Sequence, residues 1–517
     1  MNFSRFTYNL GYFFIVALLS VGCNKEINER NLRFAPLSPS NLDTTGGNWL
    51  PILLSSNEEF ALETPEPVTS QNYKLELQEV RSIQAKNELY ELNNFNYWSA
   101  GSILRWNEIL RELVAKYNLP PYQNQDGTYP IPNPNNPLAY PLFPFANPPY
   151  AARAYAYVCA AQYDALVIAY HYKHKFKRLR PYQIDPNIIL KGPEINDFSY
   201  PSEQAVIAGA SVAMLSQLFP GEQDFLQSKL LDCINSRLFG GYNVRSEIEA
   251  GLKLGKQVAQ KFIDRARQDR AGKAVGTPSD WQLFVTTTEN RGEIPWKSLE
   301  SPARPPMLPL FGRTIGFLLD TTEVVNGRPT PPPSTSSEQF QKELEEVLNY
   351  SQNATRENMR VVHFWGDGVG TYTPPGHWNA IACEDFVQLN FSEIRWARNL
   401  ALLNMAMFDA AICCWDAKYF YFNPRPSQMN PKIKTLTGVP NFPAYVSGHS
   451  TFSGAAATVL SHINGLKSSQ YNAMADEASR SRLIGAIHYR SDIEVGMKMG
   501  KSVGNKAVSR AKSDGAE

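Results

Sequence analysis

The chain repeats itself. Ala152-Arg153, Tyr163-Asp164-Ala165, Lys173 and Arg180-Pro181 return as Ala397-Arg398, Phe408-Asp409-Ala410, Lys418 and Arg425-Pro426, each pair 245 positions apart. The same spacing carries Tyr200, Ser202 and Gly209-Ala210 onto Tyr445, Ser447 and Gly454-Ala455. It also carries Ser236-Arg237-Leu238 onto Ser481-Arg482-Leu483, and Gly251 and Gly255-Lys256 onto Gly496 and Gly500-Lys501. One offset held across separated blocks is the signature of a structural unit used twice. The 517 residues therefore read as two homologous halves, 86–270 and 340–517, with a leader over 23–85 and a connector over 271–339.

Each half is written in a helical pattern. Arg395 to Trp415 is rich in Ala, Leu, Met and Phe, poor in β-branched residues and free of Gly and Pro, which predicts about six turns of helix. Ser450 to Ile463 and Asp492 to Lys506 predict two more, the latter with apolar residues at helical spacing. The expected fold is all-α: two homologous helical bundles packed through apolar faces. The connector holds Pro305-Pro306, Pro309 and Pro331-Pro332-Pro333, which break helices. It also holds Trp281, Phe284, Trp296, Leu308 and Phe311, so it is expected to wrap over the bundles as a lid or the wall of a cleft.

The N-terminus differs from the rest. Arg5, the apolar run Gly11 to Leu19 and the small residues before Cys23 read as an export signal over 1–22. Gly22-Cys23 resembles a bacterial lipobox, which would make Cys23 a lipidated N-terminus; plain secretion is the alternative. The expected location is the outer membrane or cell surface of a Gram-negative bacterium. No later segment offers the eighteen or so uninterrupted apolar residues of a membrane span. Lys plus Arg number 50 against 49 for Asp plus Glu, so no global field draws the chain to nucleic acid, and any anion site must be local. Cys159, Cys233, Cys383, Cys413 and Cys414 show no metal-binding spacing and read as buried small hydrophobes.

Chemistry enters where the halves differ. Lys173, Arg180, Ser202 and Arg237 match Lys418, Arg425, Ser447 and Arg482, but Gly448, His449 and His488 stand opposite Glu203, Gln204 and Asn243. At these matched positions a group titrating near neutrality stands only in the second half. There Lys418, Arg425 and Arg482 bring charge enough to offset a multiply charged tetrahedral oxyanion such as phosphate or vanadate. Ser447 adds a hydroxyl, and Gly448 an unhindered N–H at a helix start. His488, four residues before Asp492, is expected on one helical turn with it, the carboxylate bonding one ring nitrogen and leaving the other as nucleophile or axial ligand. His449 is placed to act as acid or base. Taken singly, a capping histidine at 449 and a surface histidine at 488 are the competing readings.

These residues resemble a known family, the vanadium-dependent haloperoxidases and the type 2 phosphatidic-acid phosphatases (PAP2). Its signature, K-x6-R-P, P-S-G-H and S-R-x5-H-x3-D, stands here as Lys418 to Pro426, Val446 to His449 and Ser481 to Asp492, with Val446 in place of the motif proline. The resemblance implies a vanadium chloroperoxidase-like fold with vanadate as cofactor. His488 would be the axial vanadium ligand, Lys418, Arg425, Ser447, Gly448 and Arg482 would hold equatorial oxygens, and His449 would activate peroxide. Trp415 and Phe442 are similar to residues lining the halide side, core packing being the alternative. Asp367, in Asp367-Gly-Val-Gly-Thr-Tyr-Thr-Pro-Pro-Gly-His377, would brace an arginine. The substrates would be small molecules, hydrogen peroxide and a halide. Two other functions stay open: an acid phosphatase working through a phosphohistidine without a cofactor, and a non-catalytic lipoprotein that binds phosphate or vanadate.

Overall fold

Every regular element among the described residues is a helix, as expected of runs of Ala, Leu and Met with few β-branched residues. The computed structural model describes residues 34–86, 88–119, 123–129 and 147–517. The export segment 1–22 and Cys23 lie outside them. The chain divides into Met1–Ala35 and Pro36–Glu517, and the architecture that follows belongs to the second unit.

Its helices are α1 (Gln71–Lys86), α2 (Leu89–Ser99), α3 (Ser102–Tyr117), α4 (Pro148–Phe176), α5 (Pro181–Ile184), α6 (Glu203–Leu218), α7 (Gln223–Phe239) and α8 (Arg245–Gln268), then α9 (Pro278–Asn290) and α10 (Thr321–Asn326) in the connector. They continue with α11 (Glu338–Gln352), α12 (Arg356–Phe364), α13 (Thr373–Leu389), α14 (Glu393–Tyr421), α15 (Pro426–Met429), α16 (Gly448–Ile463), α17 (Ser468–Ile484) and α18 (Arg490–Ala511). The series α4 to α8 and α14 to α18 keep step: each element of the second begins 245 positions after its counterpart. Both long helices end on a left-handed residue, Lys177 and Phe422, each at φ 52.

The two long helices form the centre. Asn147 caps α4 by accepting from the Tyr150 N–H, and Ser392 caps α14 by accepting from that of Arg395. By length and hydropathy the stretch 393–429 could cross a bilayer, but 94% of its apolar window is buried inside the protein. A helix that is apolar all round is the core of a bundle here. Asn404 Nδ2 donates to Cys159 Sγ at 3.4 Å, so α4 and α14 meet at positions that are themselves related by the repeat. Small residues draw the remaining helices close. A Cβ on Gly496 or Gly500 would lie 2.8 Å from the Ser447 carbonyl or 2.1 Å from that of Thr451, which locks α18 onto α16. Gly251 and Gly255 do the same for α8 on α6.

Leader and connector are used alike. Asp164 on α4 accepts the N–H groups of Ile52, Leu53 and Leu54 at 2.6, 2.8 and 3.1 Å, and Asp409 on α14 accepts those of Phe317, Leu318 and Leu319 at 2.8, 2.7 and 2.8 Å. The connector also contains a helix that its composition hides. Pro278 sits at the first turn of α9, where it has no hydrogen bond to lose, and Thr277 caps that turn by accepting from Asp280 N–H. Further on, Trp296 N–H donates to the Phe422 carbonyl at 2.9 Å and Asn441 Nδ2 to that of Pro305 at 2.7 Å. All five cysteines of the described residues are free and buried.

Candidate active site

Three cations converge where α14, α15 and α17 approach the start of α16. Lys418 leaves the last turn of α14, Arg425 precedes α15, and Arg482 ends α17; none is more than 1% exposed. Lys418 Nζ donates to the carbonyls of Pro443, Ala444 and Val446 at 2.9, 3.0 and 2.5 Å. Arg425 donates from Nε to the Phe442 carbonyl (2.9 Å) and from Nη1 to that of Ile487 (2.8 Å), while its Nη2 is buried without a partner. Arg482 donates from Nε to Ser481 Oγ (2.8 Å) and from Nη2 to the Val362 carbonyl (2.9 Å). These partners are neutral. Burial therefore dominates: it pushes the Lys418 ammonium down to about 7 and both guanidiniums down to about 10. Buried charges without a counterion cost several kcal/mol each, roughly, so the site has a standing deficit of negative charge.

The start of α16 faces the same space. Ser447 caps it by accepting from the Ser450 N–H at 3.4 Å, and the amide dipoles behind Gly448 favour an anion. A Cβ on Gly448 would meet nothing nearer than Phe452 and Trp415, both at 3.9 Å. Unlike the glycines between α16 and α18, this one leaves room for a ligand. Unpaired buried guanidinium, open space at a helix start and uncompensated cations together fit a tetrahedral oxyanion.

His488 meets Asp492 as expected, but not along a helical turn. It lies in the loop between α17 and α18, and Asp492 Oδ2, in the first turn of α18, accepts from both the Tyr489 N–H (3.0 Å) and the His488 Nδ1 side (2.9 Å). On the far side His488 Nε2 lies 3.0 Å from Arg425 Nη1. A guanidinium can only donate, so Nε2 is the acceptor and the ring proton sits on Nδ1. Burial, followed by the neighbouring Arg425 and Lys418, holds His488 well below the usual histidine range. The Asp492 carboxyl is pushed up to about 7 by burial, against the pull of the Tyr489 N–H and of Lys418. The surface reading of His488 fails, since the residue is 2% exposed.

His449 occupies the first turn of α16. Its side chain is 18% exposed, yet Nε2 is sealed and has no hydrogen-bond partner. Burial first, and Arg482 next, push it well below the usual range. Trp415 and Phe442 form one wall, ring centres 5.1 Å apart, with Lys418 Nζ and the Arg425 guanidinium each 5.0 Å from the Phe442 ring. The two aromatics are thus core and site wall at once.

Asp367 does not hydrogen-bond an arginine. It acts on Arg482 through its field, while its carboxylate faces His377 Nδ1 at 3.0 and 3.2 Å and stands 3.9 Å from His449 Nε2. His377 lies in a segment whose sequence assigns it no role, and nothing in the sequence marks Trp365, on which the His377 ring stacks at 4.6 Å. The carbonyl ring around Lys418 had no side-chain signal to find.

Residues 399–510 match the family model of the PAP2 superfamily. No curated protein matches the chain. Among solved structures the chain is similar to one described as the first bacterial vanadium-dependent iodoperoxidase, at 24% identity over 73% of this chain and 94% of that one, with a TM-score of 0.57. It is also similar to a holo-type bacterial vanadium-dependent chloroperoxidase, at 12% identity over 71% and 92%, with a TM-score of 0.51. These likenesses establish a shared fold.

Proposed function

We propose that this protein is a vanadate-dependent haloperoxidase, an enzyme that oxidises halide with hydrogen peroxide; the match of residues 399–510 to the PAP2-superfamily model and the likeness in fold to vanadium haloperoxidases support this reading. The observation that supports this reading most is the cluster of three buried cations whose partners are neutral, set around the open space at Gly448. Such donors suit an oxyanion and repel a bare metal cation. Lys418, Arg425, Ser447, Gly448 and Arg482 would hold the oxygens of vanadate, and His488 Nε2 would bind its vanadium. Vanadate, when bound, supplies the Lewis acid that activates peroxide toward halide. Asp492 keeps the His488 proton on Nδ1 and so keeps Nε2 basic. His449, held neutral, is ready to take a proton from incoming peroxide and return it to the departing oxygen. Trp415 and Phe442 would line the halide side.

The PAP2 match favours a second reading. The same pocket accommodates a phosphomonoester: His488 Nε2 attacks phosphorus, His449 protonates the leaving alcohol, and water releases phosphate from the histidine. Two assays on one preparation separate the readings. Vanadate- and peroxide-dependent iodination, bromination or chlorination of a dye is the expected result. Phosphate release without vanadium, lost in His488→Ala, would favour the phosphatase. Tight phosphate binding with neither activity would leave a binding lipoprotein.

We propose in addition that 1–22 directs export and that Cys23 is lipidated, on the residue pattern alone. Labelled palmitate should enter the membrane-associated protein and be absent from Cys23→Ser; equal labelling of both would refute this.

A further inference from the structure

The loop between α12 and α13 is held against its own preferences. Asp367 and Thr373 both adopt left-handed backbone, φ 45 and 66, a region costly for residues other than glycine and most of all for a β-branched one. What holds the loop comes from the first half. Asn118, just beyond α3, accepts the Gly370 N–H at 2.7 Å and donates from Nδ2 to the carbonyls of Gly368 (2.9 Å) and Thr371 (3.0 Å). Tyr155 on α4 donates its hydroxyl to the Tyr372 carbonyl at 3.2 Å. A Cβ on Gly376 would lie 2.4 Å from that hydroxyl and 2.7 Å from Tyr372 Cβ, so the closure depends on glycine.

The clamp sets one carboxylate between two imidazoles. His377 is fixed by stacking on Trp365 (4.6 Å, 26°), with Phe364 edge-on at 5.1 Å. Its Nδ1 faces both oxygens of Asp367, and Asp367 Oδ2 looks across 3.9 Å at the sealed, unpartnered Nε2 of His449. The other charged neighbours of His449 are Arg482, Lys418 and, when protonated, His377, all of which oppose a proton on it. A hydrogen bond from the ring to the Trp365 backbone favours one, and Asp367, 3.9 Å from Nε2, is the carboxylate placed to add to it.

We propose that His377 and Asp367 are positioning residues for His449. His377 donates its Nδ1 proton to Asp367 and fixes the carboxylate, which orients the His449 ring and steadies its protonated form during turnover. The inference rests on His449 as the acid-base group, and so deepens the functional reading above. It assigns work to residues outside the three-part motif and gives the first half a part in the second half's chemistry.

The test compares His377→Phe, which keeps a ring on Trp365 but removes the donor, with His377→Asn, which keeps a donor near Nδ1. His377→Phe should lower kcat about 10-fold and displace its pH profile, since a mispositioned acid-base group loses part of a contribution of about 100-fold or more. KM for halide, affinity for sulfate and thermal stability should stay within about two-fold or a few degrees, a pattern typical of lost transition-state alignment. His377→Asn should recover most of kcat. An unchanged kcat and pH profile in His377→Phe would overturn the proposal, as would a kcat loss matched by an equal loss of sulfate affinity. If His449→Ala retained full activity, the underlying reading would fail instead. A readout that needs no turnover separates the two: the imidazole ¹⁵N spectrum should show one tautomer for His449 in the unaltered protein and a mixture in His377→Phe. A single tautomer in both would refute the positioning role.

Discussion

The two halves carry the same three cations, leave an Nη2 of Arg180, Arg237 and Arg425 alike without a partner, and differ in how they treat the lysine. In the first, Lys173 is ion-paired with Asp197 and with Glu203, the latter at 2.6 Å. The repeat places Phe442 and Gly448 at those two positions in the second half, and there Lys418 meets carbonyls alone. The surrounding frame is nearly unchanged. Arg180 donates from Nε to the Asp197 carbonyl as Arg425 does to that of Phe442. Glu247 accepts from Asn243 Nδ2 at 3.0 Å, much as Asp492 meets His488 Nδ1 at 2.9 Å. One pocket contains its own anion, and the other leaves that charge to be brought from outside. What separates a structural copy from a site is the removal of two carboxylates and the gain of two imidazoles.

The largest effect should come from making the second half like the first. Gly448→Glu fills the open space with a carboxylate beside Lys418, and should abolish sulfate binding and lower turnover by about 1000-fold or more, as expected when anion and acid-base group are both displaced. The thermal midpoint should hold or rise, because a buried cation gains its counterion. Isothermal titration, activity and a melting curve measure all three; retained sulfate binding would break the comparison.

Protonation sharpens it next. Lys418 sits near 7 because it is buried, and a bound anion favours its charged form. Above that value the free site is neutral at this position, so binding sulfate must draw in a proton. Affinity should fall by up to about ten-fold per pH unit between pH 7 and 9 and level off below 7. Sulfate does not titrate in this range and both histidines lie below it; Asp492, also near 7, loses its proton over the same range and adds to the fall. Calorimetry in two buffers of different ionisation enthalpy counts the proton; none taken up at pH 8.5 would contradict the assignment.

Glu203→Gln asks the opposite question. It strips Lys173 of one of its two counterions, and should cost about 2 kcal/mol of stability in denaturant while leaving turnover within about two-fold. Smallest of all, Asn118→Ala removes two clamps on the Asp367 loop from the far half, and should lower kcat about three-fold without changing sulfate affinity. An unchanged kcat would confine the first half to scaffolding.

Much of this was legible in the residues. The offset between Lys173 and Lys418 carried the architecture, and the loss of both histidines from one copy pointed to the other. Three things were not legible. The carbonyls of Pro443, Ala444 and Val446 belong to the backbone, and only the folded path of that loop turns them toward Lys418. The contact of His488 with Asp492 was foreseen but its geometry was not, since a spacing of four suits a cap just outside a helix as well as a turn within one. α9 was hidden because proline at a first helical turn looks, in sequence, like proline that breaks one.

A single oxyanion is expected to bind in the second half because no carboxylate there pairs directly with Lys418, Arg425 or Arg482. Anomalous diffraction from crystals soaked in tungstate tests it most directly. One peak is expected, enclosed by Lys418, Arg425, Arg482 and His488, and none beside Lys173. A peak at Lys173, or no peak among the second-half cations, would contradict it.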